Sequence, residues 1–327
     1  MPQHVSMRYQ AVLVCTAAVA VSGCVGDWPD PPPIEVETLV AEHEEWRSDR
    51  ERSLVTPPGG AVLWNGLWDL PQGDTEFGSD SSHVITLARE DAPPLAGVLR
   101  REGQVVTLLP AENSGIRLRI EDPEDEDAVV ETPVLAPMVL ENDRSGQTTT
   151  LALGSLGMRI HAEPGSNRLW LRTWDEDMPE RETFILPAYF PVRSEWRVSA
   201  RYEEYDEPRI LQFADVTGGL VEYRAPGELV FRLGGKERRL IATARETSTS
   251  FFILMWDSTA TENTYQGGRY LRAPLPDSTG WTTIDFNRTY NAPCVFTGYS
   301  VCSLPPLDNW LRVHVRAGEQ RPAKAAG

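Results

Sequence analysis

From Gly60 onward the apolar residues of this chain come in short runs, many alternating with polar ones, and Gly, Pro, Asn or Asp separate one run from the next. A first set covers Val84 to Leu87, Gly97 to Arg101, Val105 to Leu109, Ile116 to Ile120, Thr149 to Leu153, Met158 to His161 and Leu169 to Trp174. A second covers Trp196 to Tyr202, Ile210 to Phe213, Leu220 to Arg224, Glu228 to Leu233, Leu240 to Thr243, Phe251 to Trp256 and Trp281 to Ile284. Runs of this length and punctuation predict antiparallel sandwiches or barrels. So many strands exceed one small sandwich, and the expected fold is mainly β. It comprises two packed antiparallel β-sandwich or barrel units, residues 60–175 and 190–319, joined near Asp175 to Arg193, with one amphipathic α-helix in front.

That helix is expected over residues 37–56. Leu39, Val40, His43, Trp46 and Leu54 recur among Glu and Arg, Thr38 is placed to cap the start, and Pro57-Pro58-Gly59-Gly60 ends the pattern. His43 with two glutamates after it lacks the second histidine of a zinc-protease helix, because position 47 is arginine. Upstream, Arg8, the apolar stretch Ala11 to Val21 and Val21-Ser22-Gly23-Cys24 read as a bacterial lipoprotein signal peptide, residues 1–23, with lipid on Cys24. The apolar stretch is short for a membrane span of about 20 residues. Residues 24–36, with Trp28-Pro29-Asp30-Pro31-Pro32-Pro33, suit an extended linker on the lipid anchor, and 320–327 a flexible tail. The expected location is extracytoplasmic, anchored by acyl chains to the cell membrane or outer membrane.

A formal charge of -17 repels nucleic acid and anionic headgroups, so the membrane is met through the lipid alone and nucleic acid is excluded as a partner. Cys15 leaves with the signal, and Cys294 and Cys302 remain as a pair in an oxidising compartment. A disulfide between them is expected to stabilise by roughly 2 to 3 kcal/mol, unpaired thiols being the alternative. With His314 they make a poor zinc set, and no metal or cofactor is expected.

The segment Gly268 to Glu319 resembles the C-terminal block of the DUF1684 family, bacterial and archaeal proteins of unknown function. The likeness extends to Trp46-Arg47 with Leu54, Gly66-Leu67, Gly73, Phe77-Gly78-Ser79-Asp80 and Tyr189-Phe190-Pro191 before Trp196-Arg197-Val198, or roughly residues 44 to 319. The family's Asn-Pro-Pro-Cys is here Asn291-Ala292-Pro293-Cys294, its Cys-Pro-Leu-Pro-Pro is Cys302-Ser303-Leu304-Pro305-Pro306, and its Glu-Asn-Arg-Leu-Pro is Asp308-Asn309-Trp310-Leu311-Arg312. Phe77-Gly78-Ser79-Asp80 before Val84-Ile85-Thr86-Leu87 is also similar to the opening of forkhead-associated sandwiches, but the arginine and Ser-x-x-His that read a phosphate there are missing.

The densest polar constellation supplies the candidate site. Asp257 and Asp285 are placed for acid and base work, Arg269 for orienting an anionic group, and Tyr265, Asn287, Tyr290, Asn291 and Asn309 for ligand contacts. The same residues suit a loop whose side chains satisfy backbone groups, with an arginine neutralising a buried aspartate. Gly154-Ser155-Leu156-Gly157 is not a nucleophile elbow, and no phosphate loop precedes a helix. The expected function is a cell-envelope binding or structural module for a glycan, peptide or envelope protein. The alternative is a hydrolase using the carboxylates of the C-terminal block.

Overall fold

The computed structural model describes residues 28–322, apart from 58–59, 88, 90–91, 123–124, 164 and 180–183. The expected signal segment, Cys24 and the last residues of the expected tail lie outside the described residues. The chain is mainly β, and α1 (Val36–Val55) is the α-helix among those residues. It starts before Thr38, from Glu35, whose side chain makes no capping bond. Glu37 in the first turn and Arg52 in the last match the helix dipole.

Residues 64–175 form the first β-unit, with strands β1 (Trp64–Asp69), β2 (Gly73–Gly78), β3 (Ile85–Thr86), β4 (Gly97–Glu102), β5 (Val105–Pro110), β6 (Arg117–Asp122), β7 (Asp125–Pro133), β8 (Met138–Leu140), β9 (Thr150–Leu153), β10 (Leu156–Ala162) and β11 (Leu169–Asp175). A larger sheet runs β1-β11-β10-β9-β6-β7, a smaller one β3-β2-β4-β5-β8. Alternation decides how they face. Leu156, Met158, Ile160 and Ala162 of β10 join Leu169 and Leu171 of β11 in a core shared with Phe77, Leu99, Val106 and Leu108. The odd positions of β10 (Gly157, Arg159, His161) and the even ones of β11 (Trp170, Arg172, Trp174) therefore occupy the opposite face.

The second unit contains β12 (Arg197–Ala214), β13 (Leu220–Leu233), β14 (Lys236–Ala242), β15 (Ser250–Asp257), β16 (Arg269–Pro274), β17 (Trp281–Asp285), β18 (Tyr290–Asn291) and β19 (Trp310–Leu311). Its sheets, β14-β13-β12-β17 and β18-β16-β15-β19, curve around Leu229, Phe231, Ile253, Leu271, Ile284 and Phe286 as a half-barrel. β12 and β13 are each one strand where the sequence pattern predicts two. Their pairing shifts between Glu204 and Arg209, so Pro208 sits in a bulge and Pro226 lies opposite it, where ladder bonds are already interrupted. Beyond the bulge the two strands continue as a hairpin arm that reaches the first unit. There an added Cβ on Gly165 would meet the backbone of Glu222.

A further core joins helix and units: Leu54, Ala61, Val62, Leu63, Trp64 and Trp174 pack with Val295 and Phe296. Near the expected linker, Trp28 is not free of the body. Its indole donates to the Ser199 carbonyl at 3.1 Å and meets Trp281 edge-on at 5.1 Å. Gln320 and Arg321, expected in the tail, donate from their backbone to Ala188 and Asn263, each at 2.8 Å.

Candidate functional site

The predicted constellation divides into three structural clusters. Asp257 and Arg269 pair at 2.9 Å with 2% and 1% of their surfaces exposed. Asp257 also accepts from the backbone and hydroxyl of Thr259 and from the backbone of Val315. Arg269 donates to the carbonyls of Val315, Ala317 and Glu319. The pair thus staples the C-terminal segment to β15 and β16, leaving Arg269 Nε as its one buried donor without a partner among the described residues.

Asp285 serves α1 instead. Its Oδ2 lies 3.1 Å from Nε2 of buried His43, whose Nδ1 is 2.8 Å from the Leu39 carbonyl. Oδ1 takes the backbone and side-chain N–H groups of Asn287. One turn or two further along the helix, Arg50 donates to Glu319 at 2.8 Å and to the Asn291 carbonyl at 3.0 Å and stacks over Tyr290 at 5.0 Å. Asn291 is held by Glu319 and Gln320. Asp285, Asn287, Tyr290 and Asn291 are therefore the surface on which α1 docks. Asn309 bridges strands, accepting from Ile241 N–H and donating to Ile241 and Leu254 carbonyls, while Tyr265 packs beside the helix–unit core. No contact among the described residues joins Asp257 to Asp285. Cys294 and Cys302 form the expected disulfide.

A different site is open. Between the units lies a cavity of about 640 Å³, walled by the hairpin arm (Ile210, Glu222, Tyr223, Arg224), by the loop Thr243 to Ser250, by Phe252 and Arg272, and by Arg144 of the first unit. Arg144, Arg224, Arg245 and Arg272 all line it, and none of them has a carboxylate within ion-pair distance among the described residues. Arg144 is held through Nε by the Ala162 carbonyl at 2.6 Å, and burial, then the charge of Arg245, lowers its pKa. Arg272 lies 5.5 Å from the Phe252 ring centre, and Phe252 continues to Tyr223 at 6.3 Å, giving the cavity an aromatic floor. Burial raises the Tyr223 pKa, and its hydroxyl donates to Ser303 at 3.0 Å. Such a wall offers forked N–H donors for carboxylate or phosphate, hydroxyls from Thr247, Ser248 and Ser250, and a flat apolar surface. Among the described residues no three His, Cys, Asp or Glu side chains converge as a metal site, and no helix is long and apolar enough to cross a membrane.

Residues 182–320 match the family described as "Protein of unknown function (DUF1684)". This segment is a DUF1684 domain. The part of the expected likeness that falls in residues 44–181 lies outside the match. An uncharacterized protein of Haloarcula marismortui, solved in solution by NMR, is 33% identical over 44% of this chain and 80% of its own, with a TM-score of 0.37. No curated protein matches.

The DUF1684 domain supplies most of the cleft, but Arg144 and Gly165 come from the unit before it. The sequence reading missed all four arginines. They fall at 144, 224, 245 and 272 with no common spacing, and the only local hint is the Ser- and Thr-rich run from Thr243 to Ser250 around Arg245.

Proposed function

We propose that this protein is a lipid-anchored binding protein of the cell envelope whose inter-unit cleft takes a small organic anion, an acidic sugar or another carboxylate-bearing solute. The observation that carries the reading is the set of four cleft arginines without ionic partners in a chain of formal charge -17. Several arginines elsewhere in the chain are paired with carboxylates, as in Arg100 with Asp74 and Arg119 with Glu131. Cations left unpaired around a concavity favour an incoming anion through both Coulomb attraction and bidentate hydrogen bonds. The volume falls within the usual range of roughly 300 to 1,000 Å³ for small-molecule sites. Phe252 and Tyr223 suit the apolar face of a sugar ring. The lipoprotein reading rests on Val21-Ser22-Gly23-Cys24 and would keep this cleft in the extracytoplasmic space.

The test is calorimetric titration of the full chain in detergent with glucuronate, citrate and inorganic phosphate, beside Arg224→Gln and Arg272→Gln. Binding of one of them, weakened about tenfold or more by either substitution, is expected, since a charged hydrogen bond contributes about 1.5 to 3 kcal/mol. Equal affinity in both variants sinks the cleft assignment. Intact-mass measurement of the Cys24 peptide checks the anchor separately.

A further inference from the structure

The face of β10 and β11 that turns away from the sandwich core carries more positive charge than its surroundings neutralise. Arg159 and Arg172 stand directly opposite each other across the two strands, a like-charge pairing that is unfavourable unless something negative joins it. Arg172 is 4% exposed. It lies over the Trp64 ring at 4.0 Å, and Arg159 faces the Trp174 ring at 5.7 Å. The π faces attract the cations but supply no acceptor in the guanidinium plane.

One carboxylate reaches this pair, and it is already occupied. Asp143 takes His161 Nδ1 at 2.6 Å and the Ala162 backbone N–H at 3.0 Å, and is 3.9 Å from Arg159. The polar side-chain contact of Arg172 is His161 Nδ1 at 3.5 Å, a nitrogen whose proton is committed to Asp143 and which cannot also accept. Glu163, one step along the same face, gives Oε2 to Ser166 and Arg168, and its Oε1 has no contact with either arginine of the pair. Burial, then the charge of Arg159, pulls the Arg172 pKa down to about 10, which leaves it protonated at neutral pH. Four buried N–H donors are left without a protein acceptor among the described residues: Nε of Arg159, Nε of Arg172, and the indole N–H groups of Trp64 and Trp170. The Arg159–Arg172 pair itself offers donors alone, and a like-charged pair of donors, one of them almost fully buried, calls for an acceptor that carries charge.

We propose that Arg159 and Arg172 together bind one small inorganic monoanion of the chloride class on this face. The site is separate from the arginine cleft, and its occupant is small because Arg172 is almost fully buried. A bound halide joins the outward face of the first unit to the core it shares with α1, since Trp64 and Trp174 belong to both. The halide is then a structural ligand, and the fold's stability follows its concentration.

The full chain in detergent is melted at constant ionic strength while chloride replaces gluconate. The wild type is expected to gain about 3 °C or more and then level off, as saturable binding requires. Arg172→Gln loses this response, whereas Arg224→Gln in the cleft keeps it, which separates the two sites. A response equal in wild type and Arg172→Gln, or none in wild type, overturns the proposal. Should Arg172→Gln not fold, bromide-soaked wild-type crystals decide. An anomalous peak within hydrogen-bond distance of Arg172 Nε supports the site, and its absence refutes it.

Discussion

Replacing Arg269 by Met tests whether the Asp257–Arg269 pair is a staple of the fold. The substitution removes the 2.9 Å ion pair and the bonds to the carbonyls of Val315, Ala317 and Glu319, while keeping most of the side-chain volume. What remains is a carboxylate with 2% exposure and no countercharge. Removing one partner of a buried pair costs about 3 to 5 kcal/mol, because the other charge stays desolvated. For a unit of this size each kcal/mol moves Tm by about 2 to 4 °C, so the expected fall lies between about 6 and 20 °C. The assay is thermal unfolding followed by near-ultraviolet circular dichroism, which reports the aromatic packing of the second unit. A companion variant, Asp257→Asn with Arg269→Met, removes the stranded charge and should recover part of the loss. A fall under about 3 °C, or a double variant worse than the sum of the singles, would show that the pair does not act as argued and would reopen Asp257 as a group held ready for chemistry.

The remaining expectations concern the first unit. Burial lowers the His161 pKa more than the hydrogen bond to Asp143 raises it, so the folded state binds a proton less readily than the unfolded chain. Stability contributed by neutral His161 is then complete above the unfolded value near 6.5 and declines as pH falls below it, and urea midpoints measured between about pH 7.5 and 5 should drop less in His161→Asn than in the wild type. Gly157→Ala would put a Cβ 2.0 Å from the Trp174 indole, and a loss of about 1 to 3 kcal/mol in chemical denaturation is expected from that overpacking; an unchanged midpoint would mean that Trp174 can move aside.

Most strands were legible because alternation along them is strong: Leu156, Met158 and Ile160 turn inward while Arg159 and His161 turn outward. The exceptions each have a local cause. β1 reads Trp-Asn-Gly-Leu-Trp-Asp, with turn-forming residues inside the strand, and its Gly66 is needed because a Cβ there would meet the Trp68 ring at 2.0 Å. β16 alternates with arginines that ordinarily mark a surface, yet Arg269 is among the largest fully buried side chains. Pro208 and Pro226 look like strand ends, and only the pairing of β12 with β13 shows that they share one bulge. The expected constellation was legible as a cluster but not as a role. A dense set of Asp, Asn, Arg and Tyr between apolar runs arises equally from a ligand site and from a buried seam, and which of them it is depends on what packs on top.

What packs on top is α1. His43 and Arg50 engage Asp285, Asn291 and Glu319, and Arg47 donates to the Phe190 carbonyl at 3.0 Å and lies over Tyr189. These partners all lie within residues 182–320, whereas the helix lies outside that stretch, so polar residues concentrated in the DUF1684 domain are explained by a neighbour that the domain does not contain. The same reasoning separates the two arginine sites from the constellation. An acidic chain can pair its arginines cheaply at the surface, where exposed ion pairs add little and cost little. Arginines that remain unpaired in a cleft or beneath a sheet are therefore where the two proposed anions would bind, and the substitutions at Arg224, Arg272 and Arg172 test each place separately.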